Sequence, residues 1–352
     1  MSEPHRLTVL DDRRAALETC GYCPKLCRST CPVSEVEGRE PLIPWGKMSM
    51  TWYVARGELE PDHDVAELAW ACTGCLACRE RCEHKNPVAP TLLAARAVFR
   101  GSGLAPAGSE SAHRRFEARH GMLRARAQKL GAGAADSERA LLVGCGYVGG
   151  RGAEARDVVR AAAALGVTHV LSGCCGQSFR AAGDPERAER ERAALLAEAG
   201  GRSIVAADAG CAEELRGPGV STLIELAASQ PDRLRRIAEP AGTVRYHDPC
   251  RLARGLGVID EPRLILARAF GAPPEEFERR GSAGVCSGAG GLLPFTRSET
   301  ARSIARERLA EHQRLGGGTL VTACAASLSW FRAQGEKALD LASVLARSLS
   351  GG

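Results

Sequence analysis

The sequence lacks any long apolar run. No segment approaches the roughly 20 apolar residues that a membrane helix needs, and the N-terminal stretch has no apolar segment of signal-peptide length. We therefore expect a cytoplasmic protein without a transmembrane segment, which leaves peripheral membrane association through a partner open. A fold stapled only by disulfides is unnecessary, because 352 residues are enough for two or three domains with cores of their own.

The chain also lacks a strong excess of either charge. Its net charge of +5 is small for this length, and arginines are interleaved with glutamates in stretches such as ERAERERAALLAEAG. A nucleic-acid partner is therefore not indicated. Since no Ser-His-Asp arrangement, P-loop or paired-carboxylate motif stands out, hydrolytic chemistry has no support either.

Cysteine, in contrast, is abundant. In a reducing cytosol, cysteines two or three residues apart are metal ligands or redox groups more often than disulfides, so their density bears on function. All 15 fall into four ordered groups. These groups are Cys20, Cys23, Cys27, Cys31; Cys72, Cys75, Cys78, Cys82; Cys145, Cys174, Cys175, Cys211; and Cys250, Cys286, Cys324.

The first two groups have the spacing of bacterial ferredoxins, in which three thiolates hold one 4Fe-4S cluster and the fourth reaches a neighbouring cluster. The second group reproduces the C-x2-C-x2-C-x3-C run, although Glu83 stands where that pattern has proline. The first group has one extra residue before its third cysteine and keeps the terminal Cys31-Pro32. The predicted ligands are Cys20, Cys23, Cys27 and Cys82 for the first cluster (site 1), and Cys72, Cys75, Cys78 and Cys31 for the second (site 2).

Two zinc knots are the alternative for these eight cysteines, because zinc also binds four thiolates. Zinc sites usually separate two cysteine pairs by a longer loop, whereas here four cysteines occur within a dozen residues, twice. The spacing therefore favours two 4Fe-4S clusters.

From about residue 139 onward, strand-like and helix-like segments alternate, which indicates parallel sheets covered by helices. The order ALLVGC, helix, THVLSGCC, helix, SIVAADAGC recurs as TVRYHDPC, helix, AGVCSGAGG, helix, TLVTACAAS. Cysteines that follow strands are expected at the carboxyl edge of a sheet, so each half predicts one site. The repeat aligns Cys145 with Cys250, Cys174-Cys175-Gly176 with Cys286-Ser287-Gly288, and Cys211 with Cys324.

At SGCCGQS, HDPCRLARGLGVIDEPR and CSGAGG the chain resembles the cysteine-rich CCG-domain family. This family includes heterodisulfide reductase subunits and the iron-sulfur subunits of glycolate oxidase and anaerobic glycerol-3-phosphate dehydrogenase. With the N-terminal groups, the chain is similar to the fused, heterodisulfide reductase D-like members over nearly its whole length. The resemblance implies an α+β protein: a helical ferredoxin-type two-cluster domain (1–100), a linker with a basic helix (101–138), and two repeated α/β CCG domains, the first at 139–240 and a degenerate second at 241–352. The basic stretch 113–129 forms a solvated helix face or docks an acidic partner.

In this family each CCG repeat supplies a first cysteine, an adjacent pair and a late Cys-x2-Cys, and some members hold there a non-cubane 4Fe-4S cluster that cleaves a disulfide. The first repeat departs from this set at Glu214, which we expect to be a solvated helix residue, and the second departs at Ser287 and Ser327. The resemblance implies a further 4Fe-4S cluster, cubane or non-cubane, on the repeats. The candidate ligands are Cys145, Cys174, Cys175 and Cys211 (first-repeat site), and Cys250, Cys286, Cys324 and His247 (second-repeat site).

Two alternatives stay open at the second-repeat site. Its three thiolates either hold a cluster with one iron open or completed by another residue, or they are buried and inert. His247 is either a ligand or a residue that hydrogen-bonds the turn.

The run from Gly144 to Gly149 also matches the G-x-G-x-x-G of dinucleotide sites. Such a site needs an acidic residue at the end of the second strand, and the segment 169–173 has none. A tight turn that presents Cys145 explains the glycines better.

Three functions remain open. The first is an iron-sulfur electron-transfer subunit that takes electrons from a flavoprotein partner and passes them to an acceptor through the C-terminal site. The second is a disulfide or heterodisulfide reductase with Cys174 and Cys175 as catalytic residues. The third is a non-redox scaffold whose clusters stabilise the fold. The missing ligands count against the second function.

Overall fold

A computed structural model describes residues 8–23, 25–132, 137–238, 240 and 242–350. The predicted domain segments extend beyond these ranges at 1–7, 133–136, 239, 241 and 351–352. None of the described helices is both long enough and apolar enough to cross a bilayer.

Seven helices occupy the N-terminal part of the chain. The predicted helices at 64–71 and 90–99 are confirmed as α4 and α6, whereas the predicted basic helix of the linker extends over the 24 residues of α7. The carboxylate of Asp62 begins α4 by accepting a hydrogen bond from the Val65 N–H at 2.8 Å. The helices are α1 (Arg14–Gly21), α2 (Pro32–Glu37), α3 (Pro44–Ala55), α4 (His63–Trp70), α5 (Ala77–Arg81), α6 (Val88–Gly101) and α7 (Ala107–Leu130), with 3-10 turns at Thr8–Arg13, Arg28–Thr30 and Glu40–Leu42.

The chain divides into two compact units. Residues 178–186 and 285–307, which the sequence pattern places in the two CCG repeats, belong to the same unit as the N-terminal cysteine groups. The division is therefore discontinuous and differs from the predicted order of four successive segments. Unit 1 comprises Met1–Phe116, Ser178–Glu186 and Val285–Glu307, and unit 2 comprises Glu117–Gln177, Arg187–Gly284 and Arg308–Gly352.

The core of unit 1 forms where α1 packs against α3, and α6 packs against α3 and α4. Trp70, Leu92 and Phe99 are almost fully buried there. An ion pair from Arg297 to Glu37, at 2.8 Å, fastens the segment 285–307 to α2 within this unit. The cysteine loops lie between these packed helices.

Unit 2 contains two parallel sheets, as the alternation of segments predicts. The first has the strand order β2-β1-β3-β4, with Leu141 opposite Val205, and the second has the order β5-β6-β7, with Tyr246 opposite Val321. The strands are β1 (Arg139–Leu142), β2 (His169–Val170), β3 (Ser203–Ala206), β4 (Val220–Thr222), β5 (Val244–His247), β6 (Thr319–Thr322) and β7 (Ala338–Asp340).

Eleven further helices follow α7 in the described chain. Within unit 2, α9 packs against α18, and one apolar core containing Val205 and Val321 spans both sheets. The helices are α8 (Cys145–Val148), α9 (Gly152–Ala164), α10 (Gln177–Ala181), α11 (Pro185–Ala199), α12 (Ala209–Leu215), α13 (Leu223–Ala228), α14 (Asp260–Phe270), α15 (Leu293–Thr296), α16 (Ser298–Arg314), α17 (Ala325–Ala333) and α18 (Leu341–Ser350), with a π-helix at Arg251–Leu256 and 3-10 turns at Pro231–Arg233 and Gly281–Ala283.

The internal repeat holds for three strands of each sheet. By chain order and pairing, β1, β3 and β4 correspond to β5, β6 and β7. The prediction of a strand in AGVCSGAGG is wrong, because the described chain has no strand there. Instead, a single bridge between Arg245 and Glu275 lies beside β5. Pro273 and Pro274 precede this bridge, and since proline cannot donate a ladder hydrogen bond, a longer strand is disfavoured.

Candidate metal centres

The four cysteines of site 1 line one cavity of about 100 Å³ in unit 1, together with Cys78. The side-chain amide of Asn86 donates hydrogen bonds to Cys20 Sγ at 3.0 Å and to the Ala16 carbonyl at 2.8 Å. Burial raises the pKa of the Cys20 thiol to about 12, although the bond from Asn86 opposes the rise. A thiol in such surroundings ionises readily only beside a cation, so the donor set and the cavity suit iron.

The four cysteines of site 2 line a second cavity of about 20 Å³ in the same unit. The Gly74 N–H donates to Cys72 Sγ at 3.4 Å. Burial raises the pKa of Cys72, while the charges of Lys47 and Arg96 lower it. The pKa of Cys78 lies well above its ordinary value because of burial and the neighbouring thiols. This donor set also suits iron.

Cys78 lines both cavities, so site 1 and site 2 adjoin. Each predicted ligand set, with one cysteine from the other group, faces a single cavity. Among the described residues, no three side chains of His, Cys, Asp or Glu surround a position for a single metal ion.

The cysteine loops contain non-glycine residues with left-handed backbones. Lys25, between Cys23 and Cys27, has a φ of 67°, and Leu76, after Cys75, has a φ of 63°. Such a conformation costs about 1–2 kcal/mol per residue and persists only where the surroundings impose it. Leu76 is buried, which offsets part of this cost. The surrounding packing therefore holds the loops in shapes that turn the thiols inward.

The four cysteines of the first-repeat site lie near one another at the carboxyl edge of the first sheet. Cys145 begins α8 after β1, Cys174 and Cys175 follow β2, and Cys211 lies in α12 after β3. The Sγ atoms of Cys175 and Cys211 are 3.4 Å apart. The pKa of Cys175 is raised well above its ordinary value: the bond with Cys174 lowers it, but the bond with Cys211 and burial raise it more.

Glycine is required at this edge for close packing. Gly144 has a φ of 89°, and a Cβ there would lie 3.4 Å from Cys211 Sγ and 3.2 Å from the Asp208 side chain. The first glycine of the G-x-G-x-x-G run thus lets β1 pass close to Cys211. This contact supports the interpretation of the run as a turn that presents Cys145.

The two CCG-type turns are built alike, each within its own unit. The Gly176 N–H donates to Cys174 Sγ, and the Gly288 N–H donates to Cys286 Sγ, both at 3.4 Å. A Cβ on Gly176 would lie 2.3 Å from the carbonyl oxygen of Ala188, and one on Gly288 would lie 2.7 Å from that of Ala301. The predicted alignment of the two turns therefore has a structural counterpart.

A histidine that sequence reasoning did not single out lies at the first-repeat site. His120 of α7 lines a cavity of about 30 Å³ with Cys145 and Cys174. Its Nε2 lies 2.8 Å from a carboxylate oxygen of Glu191. A hydrogen bond with Cys174, followed by the charge of Glu191, raises the pKa of His120. The same bond lowers the pKa of Cys174, which its bond with Cys175 and burial otherwise raise. Glu191, His120 and Cys174 thus form a path along which a proton can move to or from sulfur.

Two cysteines of the second-repeat site lie in unit 2. Cys250 precedes the π-helix, and Cys324 precedes α17. Burial raises the pKa of Cys324 to about 12, and the charges of Asp208 and Cys250 add to the rise. The N–H of Ser327, at a predicted ligand position, donates to Cys324 Sγ at 3.5 Å. The charge of Asp208 also acts on Cys211, whose pKa burial raises against the bond with Cys175, so the cysteines of the two repeats approach each other here.

The other predicted residues of the second-repeat site have different surroundings. Cys286 is buried in unit 1, so its grouping with Cys250 and Cys324 stays a prediction. His247 is fully buried at the end of β5, where its ring meets Phe331 edge-on at 4.9 Å and its Nδ1 accepts a hydrogen bond from Arg308 at 3.4 Å. Burial, followed by the charge of Arg308, holds its pKa well below the ordinary value. Its role as a ligand stays a prediction.

Glu214, at the last ligand position of the first repeat, is half-buried in α12 rather than fully exposed. Burial lowers the pKa of Arg251, but the charge of Glu213, with a smaller contribution from Glu214, raises it more. The expected solvated helix residue is thus partly covered and lies near a cation.

Two family models match the chain. The model described as "4Fe-4S dicluster domain" matches residues 16–86, and that described as "Cysteine-rich domain" matches residues 140–216 and 244–331. The first range contains all of site 1 and site 2, and the two later ranges contain the cysteines of both repeats.

Curated relatives agree with these matches. The chain is 31% identical over 162 residues to a subunit of the CoM/CoB fumarate reductase of Methanothermobacter marburgensis, which covers 43% of this chain and only 32% of that relative. It is 23% identical over 347 residues to a subunit of the dihydromethanophenazine:CoB–CoM heterodisulfide reductase of Methanosarcina mazei, which covers 87% of this chain and 85% of that relative. It is also 42% identical over 62 residues to the probable iron-sulfur-binding oxidoreductase FadF of Bacillus subtilis, over 18% of this chain and 9% of that relative.

Proposed function

Since the chain belongs to the family of iron-sulfur oxidoreductase subunits that join a 4Fe-4S dicluster domain to cysteine-rich CCG domains, we propose that it is an electron-transfer subunit. It takes single electrons from a flavoprotein partner into two 4Fe-4S clusters and passes them to an acceptor through the CCG domains. Site 1 and site 2 hold the two clusters. The donor, the acceptor and the cytoplasmic location are parts of this proposal.

The observation that carries the proposal is the pair of cavities that meet at Cys78. Bound 4Fe-4S clusters supply one-electron chemistry over a range of about −700 to +450 mV. The chain buries the thiols and donates hydrogen bonds to sulfur from Asn86 and from the Gly74 N–H. These bonds stabilise negative charge on sulfur, and the shared wall keeps the path between the two sites short.

The experiment is an iron and acid-labile sulfide analysis of the full chain purified without oxygen, followed by a redox titration monitored by EPR. We expect about eight of each per chain if only site 1 and site 2 are filled, and about twelve if the CCG repeats hold a further cluster. The same titration tests the scaffold alternative. Clusters that cannot be reduced reversibly at physiological potentials would contradict electron transfer.

A second candidate function is reduction of a disulfide at Cys174 and Cys175. The specific observation in its favour is the hydrogen bond between His120 and Cys174 beside Glu191. Cleaving a disulfide to two thiols takes two electrons, which the clusters deliver one at a time, and two protons, one of which His120 is placed to supply to sulfur. Cys174→Ser should abolish disulfide turnover and leave the EPR signals of site 1 and site 2 intact. Unchanged turnover would reject this function.

A further inference from the structure

Lys47 is a buried cation in an otherwise apolar helix. It lies in α3, within the sequence PWGKMSMTWYVA, and only 1% of it is exposed. Its ammonium donates to Cys31 Sγ at 3.4 Å, and its side chain lines the cavity of site 2. Among the described residues, none provides a carboxylate that pairs with it. The negative charge that compensates Lys47 must therefore come from the thiolates of site 2.

A second buried cation lies beside the same site. Arg96, also 1% exposed, donates to the carbonyl oxygens of Cys72 at 2.7 Å and Ala69 at 3.0 Å. It thereby fixes the start of the Cys72 loop, and its charge favours the thiolate of Cys72. Two cations that are almost free of solvent screening thus act on site 2.

Site 1 has different surroundings. The group that donates to Cys20 Sγ is the neutral amide of Asn86. The cavity is also lined by Glu83, whose carboxylate is a negative charge. The nearby Lys25 is partly exposed, and it is compensated by Glu40 at 3.2 Å. Site 1 therefore receives less net positive potential than site 2.

We propose that Lys47 sets the order of reduction, so that the cluster of site 2 accepts an electron before the cluster of site 1. Reduction adds one negative charge to a cluster, and a buried cation close to a ligand sulfur stabilises the reduced form more than the oxidised form. Electrons that enter at site 1 then move downhill to site 2. This inference rests on the proposed function, because it assumes a cluster at each site.

The test is an EPR-monitored redox titration of the full chain and of Lys47→Met, purified without oxygen. We expect Lys47→Met to lower the higher of the two midpoints by at least tenfold in the equilibrium constant, which for one electron is about 59 mV. The lower midpoint should move much less. Lys85→Met is the matched control, since Lys85 lies in unit 1, is 59% exposed and pairs with Glu80, and it should leave both midpoints in place.

Two further variants separate the effect of charge from an effect on folding. Lys47→Arg keeps the cation and should keep the higher midpoint, whereas Lys47→Gln keeps a donor without charge and should lower it. Asn86→Leu removes the donor at site 1 and should shift the lower midpoint. If Lys47→Met and Lys47→Gln retain iron but leave the higher midpoint unchanged, or if the midpoint sensitive to Lys47 is the lower one, the inference is overturned. If the wild-type chain holds no reducible cluster, the proposed function itself fails. The iron analysis distinguishes these two results.

Discussion

Gly176 offers a sharp test of how the CCG turn is built. Its φ of 88° lies in the left-handed region, and a Cβ there would meet the Ala188 carbonyl oxygen at 2.3 Å. The matched control is Gly166, also in unit 2, with a φ of 80° and nothing within 4 Å of an added Cβ. Gly166→Ala should therefore cost only the strain of the left-handed conformation, about 1–2 kcal/mol. Gly176→Ala should cost this strain plus about 1–3 kcal/mol for forcing the turn away from α11.

The assay is the thermal unfolding midpoint of each variant under identical anaerobic conditions. For a domain of this size, 1 kcal/mol corresponds to a shift of about 2–4 °C, so we expect Gly176→Ala to melt at least about 2 °C below Gly166→Ala. The displaced turn should also disturb Cys174 and Cys175, and alkylation of the unfilled thiols by iodoacetamide should change in Gly176→Ala alone. Equal melting temperatures for the two variants would refute the packing argument.

Three further predictions concern other parts of the molecule. Cys78→Ser should alter the EPR signals of both clusters, whereas Cys20→Ser should alter only one; a change in a single signal for both variants would contradict the shared wall. Burial raises the pKa of Asp340 to about 7, so the folded chain holds a proton that the unfolded chain releases. This contribution to stability is present at low pH and lost as the pH rises through about 7, so the gap in melting temperature between the wild type and Asp340→Asn should narrow from about pH 5 to pH 8; a constant gap would contradict the raised pKa. Arg297→Leu leaves the carboxylate of Glu37 without its ion pair and should cost about 2–3 kcal/mol, seen as faster hydrogen exchange in residues 285–307; unchanged exchange there would show that the pair does not fasten the segment.

The elements that follow from local sequence patterns could be predicted. Helix α11 has the predicted bounds of Pro185 and Ala199, and the parallel strands follow from the alternation of segments. The failed strand in AGVCSGAGG shows the limit of reasoning by repeat. The alignment of Cys286 with Cys174 is reproduced in the turn, but the neighbouring prolines and glycines favour an irregular chain over a ladder.

The division into units could not be read from the sequence, because it depends on contacts between segments that are far apart in the chain. The bond between Arg96 and the Gly291 carbonyl, at 3.0 Å, is one such contact within unit 1. Nothing in the local pattern of either segment indicates it. The domain boundaries at residues 100, 138 and 240 accordingly remain predictions.

The ligand sets of site 1 and site 2 were inferred from spacing alone, but the side chains that act on the sulfur atoms were not. Lys47 and Arg96 did leave a signal, since each is a charge in an otherwise apolar stretch of helix, which is where a buried cation with a specific partner is expected. His120 left none, because α7 contains many basic residues and no spacing links it to Cys174.

The most direct test of the central claim is the EPR spectrum of the fully reduced chain compared with that of the half-reduced chain. Because Cys78 lines both cavities, two clusters held there must lie close together, and their unpaired spins should interact. The account predicts a simple spectrum after one electron has been added and a broadened or split spectrum after two. Two independent spectra that merely add, or a single cluster per chain on the eight N-terminal cysteines, would contradict it.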